Sequence, residues 1–219
     1  MKSLPTSYTA ARKWGIILLL ALASLGAALL SMSFGSTQVP FSEILTALMG
    51  GETQAYNIVV YARLPRTLAA LLCGSALAVG GVIIQGVLGN PLAGPNIIGV
   101  NAGAGLGAVL CAALIPTSMT AVPVAAFLGA LGACMLVYTL ARRTGASRIT
   151  LVLAGVAISS MLSAAIDAVS ILFPEAALGA GSFMVGRLSG VTVAALKVPA
   201  LLSLLAGAGA FAMSYELDL

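Results

Sequence analysis

The chain has 219 residues, 60% of them hydrophobic and only 7% charged, with a net charge of +4 and no histidine. Soluble domains carry about 25% charged residues, so these proportions exclude a water-facing fold and make lipid the solvent. The positive charge is read by where it falls along the chain and is not a nucleic-acid signal.

In chain order, Lys2, Arg12 and Lys13 precede an uncharged stretch, Trp14–Ser33. A basic start before an apolar stretch is also the pattern of a signal peptide. Its length and the spans that follow predict a retained first membrane helix. Residues 35–57 are more polar, and "PFSEILTALMG" predicts a short amphipathic helix at an interface, ended by Gly50 and Gly51.

Between Arg66 and Arg142 lie 75 residues without a charge. As one helix they would run about 112 Å, against a hydrocarbon core of about 30 Å. Two breaks divide them, "GNPLAGP" (89–95) and "IPTS" (115–118). The spans expected are Leu64–Leu88, Asn96–Ile115 and Thr120–Ala141. Pro65 predicts an extended Leu64, hence a rigid entry to the second span. A polar loop, "RRTGASR" (142–148), leads to a fifth span, Ile149–Phe173, which stops before Pro174. A Gly-rich connector, "LGAGSFMVGRLSG" (178–190), follows, then a sixth span, Val193–Met213, and the end "SYELDL" (214–219). The fold class expected is all-α, a polytopic transmembrane bundle of about six spans in a single domain, 1–219.

Basic residues favour the cytoplasmic side. Lys2, Arg12 and Lys13 are separated from Arg142, Arg143 and Arg148 by four spans, an even number, so both clusters share a side. This predicts both chain ends in the cytoplasm and places Arg63, Arg66 and Arg187 outside. Arg63 and Arg66 either snorkel at the interface or meet an acidic partner there.

The "NPLAGP" break frees backbone groups, which survive at membrane depth only against protein or water; an ordinary cytoplasmic turn gives the same pattern. Gly99, Gly103 and Gly107 repeat every four residues, a stripe that lets helices approach closely. It is not a nucleotide loop, because no strand precedes it and no acid follows about 20 residues on. "GSALAVGG" (74–81) and "GALGA" (129–133) read as further close helix contacts. Asp167 is the one acid well inside a span, either a functional group or a hydrated residue near the outer end. Gln85 and Asn101 are polar helix residues suited to bonding neighbouring helices. Cys73, Cys111 and Cys134 read as small buried residues, with no disulfide or metal spacing. With no histidine and six acids, no metal site, cofactor or catalytic constellation is expected.

The stretch "RLPRTLAALLCGSALAVGGVIIQGVLGNPLAGPNIIGVNAGAG" resembles the signature of the FecCD-type permeases, and "RITLVLAGVAIS" (148–159) resembles the start of that family's fifth helix. These are membrane subunits of ATP-driven (ABC) importers for iron-siderophores, haem and cobalamin (vitamin B12). The resemblance implies a multi-pass protein of the bacterial cytoplasmic (inner) membrane, with the N-terminus in the cytoplasm. It implies three partners besides the lipid bilayer: a second permease copy, the same or different, a cytoplasmic ATPase dimer, and an extracytoplasmic substrate-binding protein. Hydrolysis would then belong to the ATPase, so the chain itself is not expected to be an enzyme. It also implies that the fifth span lines the path, which singles out Ser160, Ser163 and Asp167, with Gln85 from the second span. Arg63 and Arg66 would dock the binding protein. Members have about ten helices, and this chain reads as truncated just before the cytoplasmic coupling segment. The rival readings are an ion-coupled secondary transporter, with Asp167 as its one candidate ion group, and a non-transporting fragment.

Overall fold

The computed structural model describes residues 10–213 apart from 52, 119 and 146. Lys2 and the terminal "SYELDL" lie outside the described residues. Eight α-helices run through the rest: α1 (Ala10–Ser33), α2 (Phe41–Leu48), α3 (Leu64–Leu88), α4 (Val100–Leu114), α5 (Ala121–Arg143), α6 (Arg148–Leu172), α7 (Pro174–Met184) and α8 (Val193–Ala212). A π-helical segment, Ile58–Arg63, leads into α3, and a 3₁₀ turn, Pro95–Ile98, leads into α4. Five stretches are long and apolar enough to cross a membrane: Arg12–Ser33, Ile58–Leu88, Ala121–Arg143, Arg148–Leu172 and Val193–Ala212. α4 is shorter, at 15 residues, or about 22 Å. The 3₁₀ turn before it adds about 8 Å, so the two together match the ~30 Å hydrocarbon core. The described residues thus form an all-α bundle of about six spans.

Backbone contacts sort the chain into two compact units, residues 1–74 with 188–201 and residues 75–187 with 202–219. In the first, Met32, Val39, Ile44, Ala47, Ala55 and Val59 form a core. α2 is amphipathic as expected: Ser42, Glu43 and Thr46 share one face, and Ile44 and Ala47, on the other side, are buried. Gly50 follows it with φ 83°, a conformation that glycine adopts without the Cβ penalty.

The entry to the second span differs from expectation. Leu64 is helical, with φ −58° and ψ −51°, and the helix runs unbroken through Pro65. A proline ring clashes with the carbonyl four residues earlier in a regular α-helix. Here the wider π turn lies immediately upstream, and the Leu64 N–H bonds the Val59 carbonyl, five residues back. That widening accommodates Pro65, whose side chain is fully buried.

In the second unit the helices meet through small residues. Ala108 and Val109 of α4, Ala126 of α5, and Ala176 and Ala180 of α7 form one core. Val137 of α5 with Ala154 and Ile158 of α6 forms another. The Gly-rich connector is also a correction, because its first half lies in α7. Pro174 occupies the first turn of that helix, Glu175 complements its N-terminal dipole, and Ala176 and Ala180 pack on α4. Its glycines, which suggest a connector in water, serve here in a helix packed closely on α4, where a Cβ on Gly179 would already touch Ala112. Cys111 is buried and Cys134 half-buried, but Cys73 is exposed; all three are free.

Candidate translocation and docking surfaces

The break after α3 is a built turn. Gly89 turns the chain with φ 59°, and the Asn90 side-chain oxygen accepts from the Leu92 N–H at 2.9 Å. Gln85 is half-buried, and its Nε2 donates to the Ala93 carbonyl at 3.5 Å. Its amide therefore braces the turn from the last part of α3. Gly99 closes the 3₁₀ turn with φ 77°, and a Cβ there would meet only ordinary contacts, the nearest Ser159 Oγ at 3.5 Å. Its need for glycine is conformational, whereas Gly103 and Gly107 face another helix. A Cβ on Gly103 would overlap the Gly129 carbonyl of α5 and sit 2.5 Å from Ala133 Cβ. One on Gly107 would overlap the Ala125 carbonyl. The α4–α5 crossing is thus backbone against backbone.

α6 carries two opposite faces. Ala154, Gly155 and Ile158 are buried. Gly155 rests directly on the Ile97 carbonyl, leaving no room for a Cβ. Ser159 Oγ donates to the Asn96 carbonyl at 3.4 Å, and Asn101 Nδ2 donates to Asn96 Oδ1. The 3₁₀ turn is therefore strapped to both α4 and α6, and Asn101 bonds within its own segment, not to a neighbouring helix. At 100° per residue Ser160, Ser163 and Asp167 fall within about 60° of one another, nearly opposite the buried face. All three are exposed. Ser160 Oγ donates back to the Val156 carbonyl at 3.0 Å. Gln85 is engaged at its turn, apart from this stripe in sequence and in bonding.

The arginines divide as well. Arg63 ends the π segment and is half-buried. Its Nη1 donates to the carbonyls of Met32 at 2.6 Å and Ser33 at 2.8 Å, and its Nη2 donates to the Thr37 carbonyl. Arg66 is exposed. At the α5–α6 loop Arg142, Arg143 and Arg148 are exposed, and Ser147 caps α6 by accepting from the Thr150 N–H at 3.0 Å.

Sequence reasoning missed the Gly155–Ile97 contact, the Asn96 strap and the Arg63 clamp. A signal for the first was present, since Gly155 stands in the quoted "LAGVAIS" four residues before Ser159. Nothing in the sequence marked the other two.

A whole-chain comparison decides the family: the profile of the FecCD transport family matches residues 18–219. The chain belongs to that family. It is 38% identical over 208 residues to the ferric enterobactin transport system permease protein FepD of Escherichia coli, covering 93% of this chain and 61% of the relative. It is 37% identical over 179 residues to the Fe(3+) dicitrate transport system permease protein FecD of the same organism, covering 81% and 55%. The probable heme-iron transport system permease protein IsdF of Staphylococcus aureus is 32% identical over 152 residues, covering 69% and 47%. A solved structure of a metal-chelate type ABC transporter in an inward-facing conformation superposes with a TM-score of 0.75 at 25% identity, over 93% of this chain and 62% of that one. The FecCD chain described here thus spans 55–61% of the length of its two Escherichia coli relatives.

Proposed function

We propose that the chain forms one wall of the translocation path in an ATP-driven importer of metal chelates, with iron-siderophore, haem or cobalamin as the cargo class. The observation that carries the reading is the polar stripe of α6. Ser160, Ser163 and Asp167 lie exposed on a membrane helix, opposite the face that packs on the 3₁₀ turn. A carboxylate facing hydrocarbon costs several kcal/mol. Such a face is stable against water or another polar protein surface, which a path between two permease copies supplies. The relatives named above are permeases of iron-uptake systems, in keeping with this cargo class.

The N-terminus lies in the cytoplasm, as charge placement favours. The α5–α6 loop with Arg142, Arg143 and Arg148 is then cytoplasmic, on the side of the ATPase dimer. The α1–α3 end with Arg66 is outside, where an exposed guanidinium can pair with carboxylates of a substrate-binding protein. Hydrolysis belongs to the ATPase subunits, and nucleotide shifts the permease pair between outward- and inward-open states by binding one better than the other.

The test is uptake of labelled ferric siderophore, haem and cobalamin by the assembled importer in proteoliposomes loaded with ATP. ATP-dependent uptake of one class is expected, and it should stop when the ATPase is inactivated. Uptake that follows an ion gradient and persists with an inactive ATPase overturns the reading.

A further inference from the structure

Two arginines three residues apart look like one docking pair, yet they are not equivalent. The Arg63 guanidinium is spent inside its own unit. Three carbonyls receive it: those of Met32 and Ser33, the last two residues of α1, and that of Thr37 in the loop beyond. Helix C-terminal carbonyls lack intrahelical partners, and a cation there also complements the negative end of the dipole. The surroundings are shaped for the side chain. A Cβ built on Gly35 would stand 3.0 Å from Nη2, closer than ordinary contact, so glycine leaves the guanidinium its room. The loop is closed on itself as well. The Val39 N–H donates to the Ser33 carbonyl at 3.2 Å, and Ser33 Oγ donates to the Val39 carbonyl at 3.0 Å. One turn past Arg63, the buried Thr67 hydroxyl lies 3.2 Å from Ser31 Oγ. Arg63 and Thr67 therefore fasten one face of the α3 entry to the end of α1, while Arg66, between them in sequence, is exposed.

We propose that Arg63 is a positioning residue: it holds the start of α3 against the end of α1 so that Arg66 is presented in a fixed direction to the external binding protein, which Arg63 itself does not touch. This rests on the reading that Arg66 docks that protein. The distinction matters chemically. A contact residue acts through its charge on the partner, whereas a positioning residue can be replaced by any tie that restores the geometry.

The experiment uses the assembled importer and its binding protein in nanodiscs, with Cys73, Cys111 and Cys134 replaced by alanine. Ser31→Cys and Thr67→Cys are introduced to form an uncharged tie where the two hydroxyls now meet, and the disulfide is verified by peptide mass mapping. Arg63→Gln is then made in this tied background, so that folding does not depend on the arginine. Association with the binding protein is measured before and after reduction of the same sample. Oxidised Arg63→Gln should bind within about twofold of the arginine-bearing parent, and reduction should weaken binding about tenfold as preorganisation is lost. Reduction of the parent should change binding less than twofold. If oxidised Arg63→Gln is already weakened as much as the reduced sample, Arg63 contacts the partner and the proposal is overturned. If reduced Arg63→Gln binds like the parent, the clamp has no role and the proposal is equally overturned. Arg66→Gln in the oxidised background separates the two readings: it should weaken binding about tenfold with no rescue by the tie, and unchanged binding there overturns the docking reading itself.

Discussion

Gly103→Ala adds one methyl group at the α4–α5 crossing, and the structure fixes what that methyl meets. Its carbon would stand 2.5 Å from Ala133 Cβ and overlap the Gly129 carbonyl. Both neighbours are part of, or attached directly to, the backbone of α5, so no rotamer change relieves the clash. The two helices must separate by about 1 Å to restore ordinary contact. A gap of that size forfeits about a quarter to a half of each carbon–carbon well of ~0.1–0.2 kcal/mol. Over roughly 40 atom pairs, the number a single buried leucine makes, that loss is ~1–4 kcal/mol, centred on ~2. Alanine returns about 1 kcal/mol of helix propensity. The net is a destabilisation of ~1 kcal/mol at the centre of that range, the lower end of the usual cost of overpacking. Gly132, on the same helix as Gly129, supplies the control, because a Cβ there meets nothing within 4 Å. Gly132→Ala should be neutral or stabilising by up to ~1 kcal/mol. The assay is reversible unfolding of the purified chain in mixed detergent micelles. The double variant Gly103→Ala/Gly107→Ala should cost little more than the worse single one, since one separation relieves both overlaps. A Gly103→Ala chain as stable as Gly132→Ala refutes the reasoning, and so does a double variant with fully additive losses.

Three further outcomes are expected. A cysteine at Ser147 should escape an impermeant thiol reagent in intact cells and react after permeabilisation, because the α5–α6 loop is proposed to be cytoplasmic; labelling in intact cells reverses the topology. Single cysteines from Leu151 to Ile171 in the assembled importer should be water-accessible at 160, 163 and 167 and protected at 154 and 158; uniform protection removes α6 from the path. Gly155→Val places a branched side chain on the Ile97 carbonyl, and should lower stability by ~3 kcal/mol or more and abolish uptake; a variant that melts and transports like the parent shows that the 3₁₀ turn does not bear on α6.

Much of the architecture was legible because lipid simplifies the code. Charge-free length and proline punctuation located α1, α3, α5, α6 and α8, since a membrane span needs about 20 apolar residues. α7 was not legible, because its glycines mean a loop in water and a tight contact in a bundle, and only the facing Ala108 and Ala112 decide between them. The path of the chain at Leu64 was misjudged for a related reason. Pro65 disfavours a helical Leu64 without forbidding it, and the π turn that moves the upstream carbonyl out of the proline ring's way is a property of hydrogen-bond register that no residue in "IVVYAR" announces. Ser160, Ser163 and Asp167 were singled out through the family resemblance; helical spacing puts them on one face, and the structure shows that this face is exposed. That Gln85 braces a turn, that Gly99 serves a left-handed bend and that Arg63 caps α1 depend on partners 8 to 31 residues away or on backbone angles.

The distribution of polar atoms separates frame from function in this bundle. In lipid, burying a leucine against another helix releases no ordered water, so packing of small residues and interhelical hydrogen bonds do the joining. The buried positions accordingly run to alanine and glycine, while Leu18, Leu77, Leu128, Leu153 and Leu204 are exposed. On such a scaffold each polar group inside the span region must be satisfied by protein or met by water. Ser159 and Asn101 are satisfied on Asn96, Gln85 on Ala93, and Thr67 on Ser31; they hold elements together. Near the start of the Ile58–Leu88 stretch Arg63 is satisfied in the same way, on the end of α1. Asp167 and Ser163 are left without a protein partner among the described residues, as is Arg66 at the mouth of α3. Satisfied groups explain why the helices stay where they are. The unsatisfied ones are those on which the proposed path and docking surface rest: Ser163 and Asp167 on the exposed face of α6, and Arg66 at the start of α3.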